Sequence, residues 1–173
     1  MNGKQNLAVR ACGLAAVLWV GLVAGQCLAA DAENVLKPTN KPESWRLEQH
    51  EGAKATMEAE GEAIVFNVTQ TDDTDWHAQV FQTDLDFKEG AEYTVTFKAK
   101  ADAERELRIQ ASIDEEDWHN IGLDEAVQAG KEWKEYSYSF KAADVKAKKN
   151  RLGFVLGGAK GKVWVENLVV KAK

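Results

Sequence analysis

The sequence predicts an all-β fold, a two-sheet antiparallel β-sandwich of the jelly-roll type. Apolar and polar residues alternate in segment after segment from residue 44 to the C-terminus, which is the period-2 pattern of half-buried strands. Glycine-containing turns separate these segments. About 143 residues follow the first 30, which is enough for one hydrophobic core and too few for two ordinary domains.

The alternating segments define the strands in chain order. Their apolar members, which we expect to face the core, are Ile64, Phe66 and Val68; Tyr93, Val95, Phe97 and Ala99; Leu107, Ile109, Ala111 and Ile113; Tyr136, Tyr138 and Phe140; Leu152, Phe154 and Leu156; and Val163, Val165, Leu168 and Val170. Residues 114–129 are predicted to form a loop and a short strand, and residues 142–149 a loop with one helical turn. Eight to ten strands with one apolar face each require two packed sheets.

The first 30 residues have the pattern of a secretory signal peptide. Lys4 and Arg10 form a basic start, an apolar run follows from Ala11 to Ala24, and small residues precede Asp31. The apolar run is short for a spanning helix, so we expect cleavage rather than a permanent anchor. The predicted organisation is a signal peptide at 1–30, a proline-containing lead-in segment at 31–43 and the sandwich at 44–173. The predicted location is secreted or periplasmic.

Charge and cysteine content limit the partners of the mature chain. Loss of the signal peptide leaves 20 basic and 28 acidic side chains, a net charge of −8. This acidity argues against nucleic acid and against docking on a membrane. Both cysteines, Cys12 and Cys27, lie in the signal peptide, so the core must hold the domain together without a disulfide.

Five segments, taken in order, resemble one known family. They are Trp76–Val80 (WHAQV), Leu85–Ala101 (LDFKEGAEYTVTFKAKA), Trp133–Phe140 (WKEYSYSF), Leu152–Gly157 (LGFVLG) and Val163–Val170 (VWVENLVV). Together they resemble the carbohydrate-binding modules of families 4, 9 and 22, the CenC-type group. The resemblance implies a galactose-binding-domain-like jelly roll whose concave face grips a glycan. It also implies association with glycoside hydrolases and a structural calcium ion, with Asn34 and Glu166 as its donors.

A glycan-binding face needs flat aromatic rings and polar groups that hydrogen-bond to hydroxyls. The family pattern places such a ring at Trp76 and such a polar group at Gln79. The further candidates are side chains predicted to lie off the core face: His77, Arg108, Gln110, Trp118 and Arg151. The alternatives are edge packing for Trp76, a lid on the core for Trp118 and a solvated surface charge for either arginine. Trp133 and Trp164 are predicted to be structural.

Three functions compete at this point. The first is a non-catalytic, monomeric module that binds a poly- or oligosaccharide. The second is a structural or protein-interaction module of the cell envelope that has lost sugar binding. The third is a polysaccharide lyase, which would need His77 or His119 beside a tyrosine and an arginine in one cleft. The sequence has no zinc-ligand spacing and no G-x-S-x-G nucleophile motif, so catalysis has the least support.

Overall fold

Ten strands build the protein in a computed structural model that describes residues 33–173. The strands are β1 (Arg46–Gln49), β2 (Lys54–Glu60), β3 (Ala63–Gln70), β4 (Ala78–Leu85), β5 (Glu92–Ala101), β6 (Arg105–Ile113), β7 (Asn120–Ala129), β8 (Lys134–Lys141), β9 (Asn150–Val155) and β10 (Gly161–Ala172). Two single-turn 3₁₀ helices, Pro42–Ser44 and Asp75–His77, complete the regular structure of this range. The predicted signal peptide lies outside the described residues.

The strands form two antiparallel sheets of five. The first sheet has the order β1-β4-β9-β6-β7, and the second has the order β2-β3-β10-β5-β8. Their inner faces pack together, which confirms the predicted all-β sandwich. Within residues 33–173 we find no helix of sufficient length and apolarity to cross a bilayer.

Aromatic side chains join the two sheets in the centre of the core. Trp45 packs edge-on against Phe66 of the second sheet, with ring centroids 5.4 Å apart. The ring centroid of Phe154 in the first sheet lies 5.4 Å from that of Phe97 in the second. Burial of several large rings contributes roughly 1.5–3 kcal/mol for each side chain, so this cluster is a main source of stability in a domain without a disulfide.

The predicted core faces are found as expected, with one exception. Tyr138 is only half-buried, whereas its neighbours Tyr136 and Phe140 are buried. The predicted short strand within residues 114–129 is wrong in length, because β7 runs for ten residues. β7 is an edge strand whose middle is polar and exposed, so its alternation is weak in the sequence.

The predicted lead-in segment is bound to both sheets. The Val35 amide donates to the Val170 carbonyl of β10 at 2.9 Å. The Lys37 amide donates to Oε1 of Gln82 in β4 at 2.8 Å, and Gln82 Nε2 donates back to the Lys37 carbonyl. Because Gln82 is fully buried, these bonds satisfy a polar group that would otherwise be costly. The segment thereby links an inner position of the first sheet to the second.

Trp164 lies in β10 of the second sheet and Trp133 directly precedes β8, and neither is part of the core. The Lys100 ammonium lies 5.0 Å from the ring centroid of each indole, so the two rings flank one cation. Trp164 is the cross-strand neighbour of Val65, which is fully buried although it faces away from the core. These contacts support the structural role predicted for both tryptophans.

Candidate functional site

An open cavity of about 430 Å³ lies on the outer face of the first sheet. Its lining residues are Glu48, His50, Trp76, Gln79, Gln110, Trp118 and Arg151. Five of the seven predicted binding residues, Trp76, Gln79, Gln110, Trp118 and Arg151, therefore converge here. Gln79, Gln110 and Arg151 lie on three strands of the first sheet, and the two tryptophans lie on the segments that precede β4 and follow β6. These residues are far apart in the sequence and meet because the strands pair in one sheet.

Strand register explains how the polar side chains meet. Glu48 of β1 is the cross-strand partner of Gln79 in β4. Gln110 of β6 is the partner of Gly153 in β9, and Gly153 is in turn the partner of Phe81 in β4. Residues two apart on a strand share a face, so this register sets one row of polar groups beside the next.

Gly153 is required where β4 and β9 approach each other. A Cβ at this position would lie 1.8 Å from the Val80 carbonyl oxygen and 2.7 Å from the Phe81 Cα. No side chain larger than hydrogen fits such a gap without moving the strand. The sheet therefore has no side chain between Phe81 and Gln110, beside the cavity.

Arg151 is the most heavily contacted polar residue of the cavity. Its guanidinium lies 4.0 Å from the ring centroid of Phe81 and 4.7 Å from that of Trp118. Its Nε donates to Ser112 Oγ at 2.8 Å, and its Nη1 lies 3.2 Å from Glu48 Oε2. Burial lowers the pKa of this guanidinium, while the Glu48 carboxylate opposes that shift. An arginine held by two rings and an ion pair is a rigid, preorganised donor.

Glu48 and the two glutamines complete the polar lining. Gln79 Nε2 donates to Glu48 Oε2 at 2.9 Å, and Gln110 Nε2 donates to Asp124 Oδ1 at 3.1 Å. Both amide groups are thus oriented by a carboxylate. Among residues 33–173 the amide oxygens of Gln79 and Gln110 accept no hydrogen bond. These oxygens are suited to accept a hydrogen bond from a hydroxyl group of a ligand.

Trp76 forms one end of the cavity and is half exposed (50%). It is held by His77, whose ring lies 4.1 Å away and edge-on, and by His50 at 5.5 Å. The 3₁₀ turn that carries Trp76 is fixed by a hydrogen bond from the Gly157 amide to the Asp75 carbonyl at 2.7 Å. The indole is therefore positioned rather than freely mobile, although half of its surface faces solvent.

His77 and Arg108 lie outside this cavity. His77 was predicted to be a binding residue off the core face, but it is buried, and its Nδ1 lies 2.6 Å from Asp72 Oδ2. Phe81 is also buried, beneath Arg151. Arg108 binds Asp124 through its Nε at 2.9 Å and lines a neighbouring cavity of about 290 Å³.

Trp118 forms the other end of the cavity and is 52% exposed. It follows Asp117 in the loop between β6 and β7, and both residues have positive φ angles, 75° for Asp117 and 50° for Trp118. The Trp118 amide donates to the Glu115 carbonyl at 3.0 Å, which closes the turn. The side chain lies over Arg151 rather than over the apolar core.

Asn34 and Glu166, the predicted calcium donors, both make contacts within the protein. Asn34 Oδ1 accepts hydrogen bonds from the Leu36 and Val170 amides at 3.2 and 2.9 Å. Glu166 Oε1 lies 4.0 Å from the Lys98 ammonium. Among residues 33–173 no group of three or more histidine, cysteine, aspartate or glutamate side chains could hold a metal ion. The calcium ion implied by the resemblance therefore stays a prediction.

The arrangement needed for a polysaccharide lyase is not found in the described residues. Tyr93, Tyr136 and Tyr138 all lie on strands of the second sheet, away from the cavity. His119 Nδ1 faces Asp117 and its Nε2 faces the Asp144 carbonyl, not an arginine. Glu48 is the one carboxylate that lines the cavity in residues 33–173, whereas glycoside hydrolysis commonly uses a pair.

Sequence reasoning did not identify Glu48, His50 or Asp124 as parts of this site. β1 is only four residues long, and its single apolar residue, Leu47, leaves almost no alternation to detect. Asp124 orients Gln110 from an edge strand whose pattern is equally weak. Trp45 and Leu47, one on each side of Arg46, were the one signal in the sequence that Glu48 lies off the core face.

A β-sandwich with a preformed cavity, lined by exposed indoles and oriented amides, defines a ligand-binding module. Residues 30–161 match the family model CBM_4_9, described as a carbohydrate binding domain. The match spans most of the chain, and the protein belongs to this family of carbohydrate-binding modules. The resemblance inferred from the sequence is thereby confirmed. No curated protein sequence matches the chain.

Solved structures show the same fold at low sequence identity. A CBM4 structure shares 20% identity with a TM-score of 0.70, covering 80% of this chain and 93% of that one. The N-terminal cellulose-binding domain of Cellulomonas fimi β-1,4-glucanase C shares 16% with a TM-score of 0.63, covering 82% and 98%. A family 11 carbohydrate-binding module from Clostridium thermocellum shares 14% with a TM-score of 0.55, covering 83% and 97%.

Proposed function

We propose that the protein binds a poly- or oligosaccharide in the cavity between Trp76 and Trp118, without cleaving it. One observation carries the proposal: two half-exposed indoles lie at the ends of a cavity whose other lining groups are amides and charged side chains held in fixed orientations. Indoles can stack on the apolar faces of pyranose rings, and oriented amides can pair with hydroxyls. Membership of a carbohydrate-binding family supports this assignment.

The polar groups favour a neutral glycan. Arg151 is already paired with Glu48, and Arg108 with Asp124, so neither guanidinium is left without a counter-charge. A glycan carboxylate would have to compete with these pairs, and it would also meet a chain with a net charge of −8 after the first 30 residues. Hydroxyl groups carry no such cost.

The first test is affinity electrophoresis against soluble polysaccharides. Structural neighbours suggest the panel, since one is described as cellulose-binding and another was solved with a β-1,3-1,4-mixed-linked tetrasaccharide. We would use mixed-linkage β-glucan, a soluble cellulose derivative, xylan and an acidic polygalacturonate. Retardation by at least one neutral polysaccharide supports the proposal. A folded protein that none of them retards would contradict it.

The matched control is a tryptophan on the other sheet. Trp76→Ala and Trp118→Ala each remove one indole from the cavity, and each should weaken binding by about tenfold, or roughly 1–2 kcal/mol. Trp133→Ala removes an indole that is 39% exposed but lies outside the cavity. It should leave the affinity unchanged. Equal effects of all three substitutions would point to loss of folding rather than loss of stacking.

Absence of catalysis and export are separate parts of the proposal, each with its own test. Incubation with the retained glycan should release no new reducing ends and no unsaturated sugars. The predicted signal peptide should be removed in a bacterial host, leaving a mature N-terminus near Asp31, which N-terminal sequencing would identify. The alternative, a protein-interaction module without sugar binding, would be favoured by cross-linking to an envelope protein together with no retardation.

A further inference from the structure

We propose that His119 is a positioning residue for the glycan site, and that its imidazolium form clamps the loop carrying Trp118 in its binding position. This inference rests on the function proposed above. It concerns the loop from Asp114 to His119, which we call the Trp118 loop, and the loop between β8 and β9, residues 142–149.

The first observation is the hydrogen bonding of the His119 ring. Nδ1 lies 2.7 Å from Asp117 Oδ1, and Nε2 lies 2.8 Å from the Asp144 carbonyl oxygen. A carboxylate and a carbonyl can only accept hydrogen bonds, so both contacts are hydrogen bonds only when both ring nitrogens carry a proton. A neutral ring would keep one bond and direct a nitrogen lone pair at the other oxygen.

The second observation is the backbone of the Trp118 loop. Asp117 and Trp118 are consecutive non-glycine residues with positive φ angles, a conformation that a bulky residue such as tryptophan rarely adopts. Such a conformation persists only where surrounding contacts impose it. It directs the indole over Arg151, 4.7 Å from the guanidinium, and so places it at the end of the cavity.

The third observation is where the other contacts of this loop lie: Arg46 binds Asp114 at the start of the loop, and Lys149 binds Glu115, whereas neither reaches Trp118. Trp118 is half exposed, so apolar burial contributes little to its position. Apart from the backbone bond between Asp114 and Lys149, the contacts between the two loops are made by charged side chains at the surface. The charged and titratable groups around His119 and the loop are Asp114, Glu115, Glu116 and Asp117 in the Trp118 loop, Asp144, Lys146 and Lys149 in the opposite loop, Arg46 in β1 and Arg151 in β9.

The direction of the pH effect follows from these contacts. The hydrogen bond to Asp144 and the Asp117 carboxylate raise the pKa of His119 above its ordinary value of 6.5. A group whose pKa is raised in the folded state stabilises that state fully below the unfolded value, and the contribution is lost as the pH rises through the folded value. The clamp is therefore intact in mildly acidic solution and weakens in alkaline solution.

The decisive experiment reads the position of Trp118 directly. The protein would be labelled with fluorotryptophan, the Trp118 resonance assigned with Trp118→Phe, and its fluorine NMR shift followed from about pH 5 to about pH 9. The expected result is one titration step with the midpoint of His119, above 6.5. His50 and His77 lie against Trp76 instead, so the Trp76 resonance serves as a separate reference for the one from Trp118.

Three variants separate the clamp from general charge effects. His119→Gln should abolish the step, because glutamine does not titrate. Asp117→Asn removes the carboxylate beside Nδ1 and should lower the midpoint. Glu116→Gln removes the same charge from the same loop at a residue with no hydrogen bond to the ring, so it should shift the midpoint much less. A step that survives in His119→Gln, or equal shifts in the last two variants, would overturn the proposal.

Affinity measurements complete the test. Binding of mixed-linkage β-glucan should weaken by roughly three- to tenfold from below to above the His119 midpoint, the effect of losing one hydrogen bond, and His119→Gln should flatten this profile. A step in the NMR signal with a flat wild-type affinity profile would refute the positioning role. If no polysaccharide binds at any pH, the proposed function fails, while the NMR step still decides whether His119 controls Trp118.

Discussion

Replacement of Gly153 by alanine should damage both the stability and the binding site of this protein. The new Cβ would lie 1.8 Å from the Val80 carbonyl oxygen, whereas ordinary contacts begin at 3.4 Å. β4 and β9 would have to separate locally by about 1.6 Å, the difference between these two distances. That displacement falls in the middle of the pairing between Gln79–Gln82 and Leu152–Val155.

The size of the effect can be worked from this geometry. Over-packing of a filled position costs about 1–3 kcal/mol. Weakening two ladder hydrogen bonds adds about 1 kcal/mol each. The expected loss is therefore roughly 3–5 kcal/mol, a large part of the 5–15 kcal/mol typical of a domain. It corresponds to a fall in Tm of roughly 10 °C.

Urea denaturation and calorimetry would measure this loss, with Gly158→Ala as the matched control. A Cβ on Gly158 meets nothing closer than Asp75 Cβ at 4.0 Å. The control should therefore stay within about 0.5 kcal/mol of the wild type. Gly153→Ala should also weaken glycan binding, because Gln79 and Arg151 lie on the two displaced strands. A Gly153→Ala protein as stable as the control would refute the steric reasoning.

Three further changes have distinct expected outcomes. Arg151→Met should lower the free energy of unfolding by about 1–3 kcal/mol in urea titrations and weaken glycan binding, because it removes the ion pair with Glu48, which keeps Arg46 and Gln79 as partners, and the cation between two rings; an unchanged unfolding free energy would argue against the ion pair. Lys100→Met should lower it by only about 1 kcal/mol through lost cation–π contacts, and an altered affinity would show that the second sheet also takes part in binding. The hydrogen bond from His77 lowers the pKa of Asp72 below its ordinary value of 3.8, so this contact stabilises the fold above that pH and is lost as the pH falls through the folded value. Asp72→Asn should therefore flatten the acid side of the Tm–pH curve measured by calorimetry, and an unaltered curve would contradict the assignment.

Most of the sandwich could be predicted from the sequence because its central strands alternate strongly. β5 has one apolar face, and so does β6 from Leu107 onward, so the alternation alone identifies their inward apolar residues. β1 and the middle of β7 could not be predicted in this way, because edge strands are exposed and need little apolar surface. Polar positions along such strands carry no periodic signal.

The candidate site was predictable where side chains follow an alternating strand or a family pattern, as Gln79 and Gln110 do. His77 was misplaced because a 3₁₀ turn at Asp75–His77 precedes β4, so the alternation begins only at Ala78. Glu48 was missed because it reaches Gln79 and Arg151 across 31 and 103 residues of sequence. Such contacts are set by sheet register, which a local pattern does not specify.

The two ends of the cavity differ in how pH affects the contacts that hold them, because an arginine, Arg105, fixes the end at Trp76. Its guanidinium donates to the Leu156, Ala159 and Gly161 carbonyls, and so fixes the turn that holds the Trp76 segment through Gly157. An arginine stays charged over the whole accessible pH range, whereas the clamp at Trp118 depends on a histidine. Under alkaline conditions a bound glycan is therefore expected to lose its contact with Trp118 first while it still contacts Trp76. Dissociation would then start at the Trp118 end of the cavity.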